Sequence, residues 1–151
     1  MGVAAGQRAS VSAVVTEADT AMLAGSGDVP VLATPRLLAL AEAATVAAIS
    51  PHLASGMTSV GTSASLEHRR ASPVGTKLVV EAELTEVDGR RLVLSFIARE
   101  GARPGGPGGE ARPGVPGGEG GGDSVVGAGT VERVLVDREA FLSRVAAEHR
   151  P

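Results

Sequence analysis

Apolar and polar residues alternate along most of this chain, and the alternation stops once, for a single long apolar run. Residues 8–19, RASVSAVVTEAD, put Ala9, Val11, Ala13 and Val15 on one parity, the period of a half-buried strand. Residues 20–30, TAMLAGSGDVP, follow no period and carry Gly25 and Gly27 as breakers. Then comes VLATPRLLALAEAATVAAIS, apolar nearly all round. Its Ala and Leu content predicts a helix that opens at Thr34–Pro35 and ends at Ser50–Pro51. A Thr N-cap with Pro at the first helical position fits that start.

Alternation then returns four times. Residues 58–72 place Val60, Thr62, Ala64, Leu66 and His68 on one strand face. Residues 76–87 point Leu78, Val80, Ala82 and Leu84 inward and Glu81 and Glu83 outward. Asp88–Gly89 is a two-residue hairpin signal. Residues 90–100 return with Leu92, Leu94, Phe96 and Ala98 on one face. Residues 124–137 read as a last strand, and 137–149 as a short amphipathic helix grouping Phe141, Leu142 and Val145. The order is strand, long helix, four strands, short helix. A helix apolar on most sides needs cover on most sides. One curved antiparallel sheet supplies part of it, and a second copy of the chain would supply the rest while covering sheet edges.

Composition adjusts this picture in a few places. The 151 residues are one domain's worth. Residues 102–123, ARPGGPGGEARPGVPGGEGGGD, hold almost nothing to bury, so a disordered insertion at a surface loop is expected there. With no cysteine, disulfides, thiolate metal sites and a Cys nucleophile are excluded. A net charge of −3 and only two aromatics, Phe96 and Phe141, argue against a nucleic-acid surface. No run approaches the ~20 apolar residues of a membrane span. MGVAAGQRAS lacks the pattern of a secretory leader, so a cytoplasmic location is expected. No His or carboxylate spacing points to a metal.

Three polar residues stand where the pattern calls for apolar ones. Glu42 sits mid-helix with no opposite charge between Arg36 and Ser50, His68 shares strand parity with Ala64 and Leu66, and Thr34 is at the helix mouth. An unpartnered buried carboxylate costs several kcal/mol, so its presence favours a role in chemistry. A hydroxyl, a carboxylate and an imidazole suit acyl transfer. Each also has a plainer reading: Thr34 as a helix cap, Glu42 as a helix-edge residue, His68 as a strand-end histidine.

These residues resemble a known family. LATPRLLALAEAATVAAISPHL, followed by GMTSVGTSASLEHRRASPVGTKLVVEAELTEVDGRRL and later GAGTVERVLVDREAF, looks like the fluoroacetyl-CoA-thioesterase-like branch of the hot-dog-fold acyl-CoA thioesterases. The resemblance implies an α+β hot-dog fold, with a five-stranded antiparallel sheet wrapped round the central helix. It implies a homodimer with interfacial active sites and hydrolysis of a small or medium acyl thioester, with CoA or a carrier protein as part of the substrate and no separate cofactor. Thr34, Glu42 and His68 inherit the catalytic places, and Gly61 a position where backbone approaches the thioester carbonyl. Arg69 and Arg70 are candidates for a CoA phosphate, or else strand-end charges. Relatives acting on very small acyl groups carry aromatics just before the Thr; GSGDVPVLAT has none, so another acyl group is expected. A module of the same fold that binds an acyl thioester without turnover is the alternative.

Overall fold

The inward-facing strand residues do what their alternation requires. In the computed structural model, which describes residues 2–101 and 124–151, Leu78, Val80, Ala82 and Leu84 of one strand and Leu92, Leu94, Phe96 and Ala98 of the next are all buried. They lie under a single helix, and each fully buried Leu or Val contributes roughly 1.5–3 kcal/mol. The expected insertion, residues 102–123, lies outside the described residues.

The chain runs β1 (Arg8–Val14), a 3-10 turn (Glu17–Asp19), α1 (Ala21–Ala24), α2 (Thr34–Ile49), a 3-10 turn (Ser50–His52), β2 (Met57–His68), β3 (Lys77–Asp88), β4 (Arg91–Glu100), β5 (Val125–Asp137) and α3 (Arg138–Glu148). All five strands form one antiparallel sheet in the order β1-β3-β4-β5-β2. Leu37, Leu40, Ala41, Ala44, Ala48 and Ile49 of α2 bury against its concave side. This is the expected architecture of a sheet wrapped round a central helix.

Several local details differ from the expectation. β1 stops at Val14, and Glu17–Asp19 turns the chain; there the Asp19 carboxylate accepts from Thr16 and holds Arg36 at 2.8 Å. Residues 20–30 contain a short helix closed by Gly25 in the left-handed region (φ 76°). The β3–β4 turn is centred one residue late, on Gly89–Arg90, because Asp88 still pairs with Arg91. The helix grouping of Phe141, Leu142 and Val145 is real, but α3 buries none of its residues: Leu142 is 56% exposed.

β2 departs most usefully. A bulge between Gly61 and Ser63 shifts its register against β5. Ala64, Leu66 and His68 stay on one face, opposite Val131, Gly129 and Gly127. Above the bulge the parity flips. Ser59 and Gly61, opposite Leu135 and Arg133, take the helix side in place of the expected Val60 and Thr62.

Glycines let β5 come close beneath β2. A Cβ on Gly127 would stand 2.6 Å from the Glu67 carbonyl oxygen and 3.1 Å from Leu37, and backbone cannot give way as a side-chain tip can. Gly127→Ala should therefore destabilise the fold by about 1–3 kcal/mol, the usual cost of forced overpacking. Thermal unfolding followed by circular dichroism checks this: the midpoint should fall by several degrees, and an unchanged midpoint would contradict the tight β2–β5 contact.

Candidate functional site

Helix α2 begins one residue earlier than a Thr cap would require. Its N-cap is Ala33, and Thr34 and Pro35 occupy the first two helical positions. The Thr34 side chain makes no cap bond. Its hydroxyl instead meets Nδ1 of His68 at 2.8 Å, across from the end of β2. The capping role weighed for Thr34 is thus excluded by geometry. Thr34 is exposed, and with His68 it lines a cleft of about 300 Å³. Ala21, Val29, Val31 and Leu32 supply apolar wall, and Arg69 and Arg70 supply charge.

His68 is half-buried, and its Nε2 has no hydrogen-bond partner although it is shut off from solvent. Burial pushes the imidazole below the ordinary value of 6.5; the Arg70 backbone pulls weakly the other way. The neutral ring is therefore favoured, with Nδ1 bonded to a hydroxyl. A hydroxyl within hydrogen-bond reach of a neutral imidazole is a nucleophile and base in the right relation. The Arg69 guanidinium holds Glu67 at 2.9 Å, and Arg70 holds Glu100 at 3.5 Å. Both cations rim the cleft, so an anionic group entering it would meet them.

Glu42 lies two helical turns away, about 12 Å along the axis from Thr34. Its carboxylate is not lone. Arg133, on the helix side of β5, puts Nη1 3.5 Å from Glu42 Oε2. The expectation of an unpartnered mid-helix charge is corrected here: the partner comes from the last strand, where a search along the helix could not see it. Nor is Glu42 deeply buried, its side chain being 43% exposed. At that exposure the pair is worth only ~0–1 kcal/mol. Oε2 lies 2.8 Å from where a Cβ of Gly61 would stand, so the carboxylate occupies the space that a side chain at 61 would take. A small cleft of about 230 Å³ opens there between Glu42 and Gly61–Ala64.

Within one chain, then, Thr34 and His68 meet, Glu42 meets Gly61, and the two halves stand apart. The sequence reading missed Arg133 and its second contact, Ser59. Nε donates to Ser59 Oγ at 2.8 Å and Nη2 to the Ser59 carbonyl at 3.1 Å. A signal was present, because Arg133 sits on the parity of Val131 and Leu135 in TVERVLVD. Of the remaining histidines, His52 is exposed, and His149 bonds back to the Val145 carbonyl at 2.9 Å in α3.

Known proteins share this arrangement of elements. Residues 15–112 match the family model described as fluoroacetyl-CoA-specific thioesterase, FlK. A fluoroacetyl-CoA thioesterase of Streptantibioticus cattleyicolor is 32% identical over 115 residues, 76% of this chain and 68% of the relative. A solved structure of the fluoroacetyl-CoA thioesterase FlK superposes with a TM-score of 0.77 at 29% identity, covering 100% of both chains. A hot-dog-like protein from Thermanaerovibrio acidaminovorans shares the fold at 19% identity and a TM-score of 0.76, over 97% of this chain and 93% of that one.

The Gly61 contact is testable without any assay of activity. The atom that an added methyl would strike is the end of a flexible side chain, so Gly61→Ala should cost less than about 1 kcal/mol and leave the fold intact. Its crystal structure should show the Glu42 carboxylate displaced from Arg133. An undisturbed carboxylate would contradict the close approach.

Proposed function

The chain belongs to the fluoroacetyl-CoA-specific thioesterase family, and from its site geometry we infer that it hydrolyses a small or medium acyl-CoA at a site shared by two copies of itself. The observation that carries this is the Thr34–His68 bond at 2.8 Å, made by a hydroxyl released from capping.

The second copy is argued from the edge of the sheet. β2 is an edge strand of the sheet, and its residues Gly61–Ser65 are exposed. On α2, Ala39 and Ala43 are exposed and Val46 is 39% exposed, an uncovered apolar stripe next to Glu42. An exposed edge is a template for pairing. If two β2 strands pair antiparallel about a two-fold axis between Ala64 and Ser65, each Gly61 faces the partner's His68. Side chains of directly opposed residues lie about 5 Å apart. Glu42 fills the side-chain place at Gly61, so its carboxylate comes near the partner's His68 ring. Thr34, His68 and the partner's Glu42 then form a hydroxyl–imidazole–carboxylate set.

The chemistry follows from those positions. Thr34 Oγ attacks the thioester carbonyl carbon and passes its proton to His68 Nδ1. At the start of α2, Pro35 carries no N–H and the Ala33 and Arg36 amides already donate to the Asp19 and Ala33 carbonyls, which leaves the Thr34 N–H as the donor for the developing oxyanion. The C–S bond breaks, and the leaving thiolate takes the proton from His68. Water then attacks the acyl-threonine with His68 as base; the acyl C–Oγ bond breaks, His68 returns the proton to Thr34 Oγ, and the free acid leaves. Glu42 keeps a proton on Nε2 so that Nδ1 remains the acceptor. Arg69 and Arg70, at the cleft mouth, are placed to meet CoA phosphates. The apolar wall of Val29, Val31 and Leu32, without an aromatic, suits an acyl group larger than fluoroacetyl.

Free-thiol release from a panel of acyl-CoAs of graded length tests this reading. Thr34→Ala, His68→Ala and Glu42→Gln should each lower turnover by about 10²–10⁴-fold. The base must be neutral, so the rate should rise with pH as His68 loses its proton and fall on acidification. Binding of acyl-CoA with no thiol released would identify the non-catalytic module instead. Unchanged hydrolysis by Glu42→Gln would refute the catalytic set.

A further inference from the structure

Arg133 is the one charged residue in the core among the described residues, at 6% exposure. It stands on the helix side of β5 between Val131 and Leu135, and burial pushes its guanidinium down while the Glu42 charge pulls it up. A well-packed apolar residue there would serve stability at least as well, because the Arg133 charge is desolvated for one attraction to a half-exposed carboxylate. Its geometry shows what the charge accomplishes instead. Two of the three guanidinium nitrogens are spent on one residue of the neighbouring strand: Nε on the Ser59 hydroxyl and Nη2 on the Ser59 carbonyl. The planar fork is thereby fixed in orientation. The third nitrogen, Nη1, is left aimed at Glu42 Oε2.

Glu42 needs such a hold. It projects from a helix on three rotatable bonds, its side chain is 43% exposed, and Gly61 leaves open space around its oxygen. Of the charged groups in contact with it, Arg133 is the cation within 4.0 Å. We propose that Arg133, clamped by Ser59, is a positioning residue that fixes the Glu42 carboxylate in the side-chain place of Gly61. This rests on the proposed role of Glu42. Arg133 acts through that carboxylate and touches no reacting atom.

The test is a double-mutant cycle on the full chain, with kcat and KM from thiol release and folding followed by circular dichroism. Arg133→Met should lower kcat about 100-fold, the cost of an ångström-scale misplacement. Its KM should stay within about threefold of wild type. Arg133→Lys keeps the charge but loses the fork, and should recover part of the lost rate. In a Glu42→Gln background, Arg133→Met should cost nothing further, because the group it positions is already gone. Additive losses in the double variant, or a loss confined to KM, would overturn the proposal and make Arg133 a substrate contact. If Arg133→Met does not fold, Ser59→Ala decides: it removes the Nε bond and leaves Nη2 on the backbone carbonyl, so kcat should fall several-fold, and an unchanged kcat overturns the clamp. A wild type that is active with a normal Arg133→Met variant defeats the positioning role alone. A wild type inactive on every thioester defeats the functional reading and the positioning role together.

Discussion

Among the described residues strand β2 has a strand partner on one side only, and the proposed site depends on that constraint. β5 pairs with it from Met57 to His68. Its other edge has no strand beside it among the described residues. The end and the bulge of this strand carry the two halves of the candidate set. At the end His68 meets Thr34; at the bulge, Gly61 makes room for Glu42. A chain with only one copy of β2 holds the halves roughly two helical turns apart. The proposed two-fold pairing of these edges would bring each imidazole to a carboxylate from across the axis. The same act would cover an exposed sheet edge and the bare stripe of α2. Stability and chemistry then draw on one interface.

The proposed exchange relies on the bulge between Gly61 and Ser63. Without it, Val60 and Thr62 would face the helix, and Glu42 would meet bulk instead of space. Because of it, Ser59 and Gly61 turn inward, one to grip Arg133 and the other to admit the carboxylate. The extra residue is itself secured on the outer face, where Glu132 takes hydrogen bonds from Thr62 and Ser63 and pairs with Arg91.

Alternation made the sheet legible, since Leu78, Val80, Ala82 and Leu84 can bury only on one face of a strand. Composition made α2 legible for the same reason. Thr34 and His68 were readable as polar intrusions in apolar patterns, but their bond was not: a Thr before Pro has the same sequence whether it caps or not. The bulge was invisible because parity counting assumes an unbroken period. Arg133 was overlooked because partners of a helix residue were sought along the helix, whereas its cation arrives about 90 residues later from a strand. Such a pairing is set by tertiary packing, and only its oddity on an apolar parity shows in the sequence.

The central claim is that each site takes its hydroxyl and imidazole from one copy and its carboxylate from the other. Mixing two inactive variants, Thr34→Ala and Glu42→Gln, after subunit exchange tests it most directly by measuring thiol release. With shared sites, half of the chains' random pairings are mixed, and each mixed pair holds one intact site. About a quarter of wild-type activity should therefore return. If the mixture stays as inactive as its parents after exchange is verified by mass, the site lies within one copy and the account is contradicted.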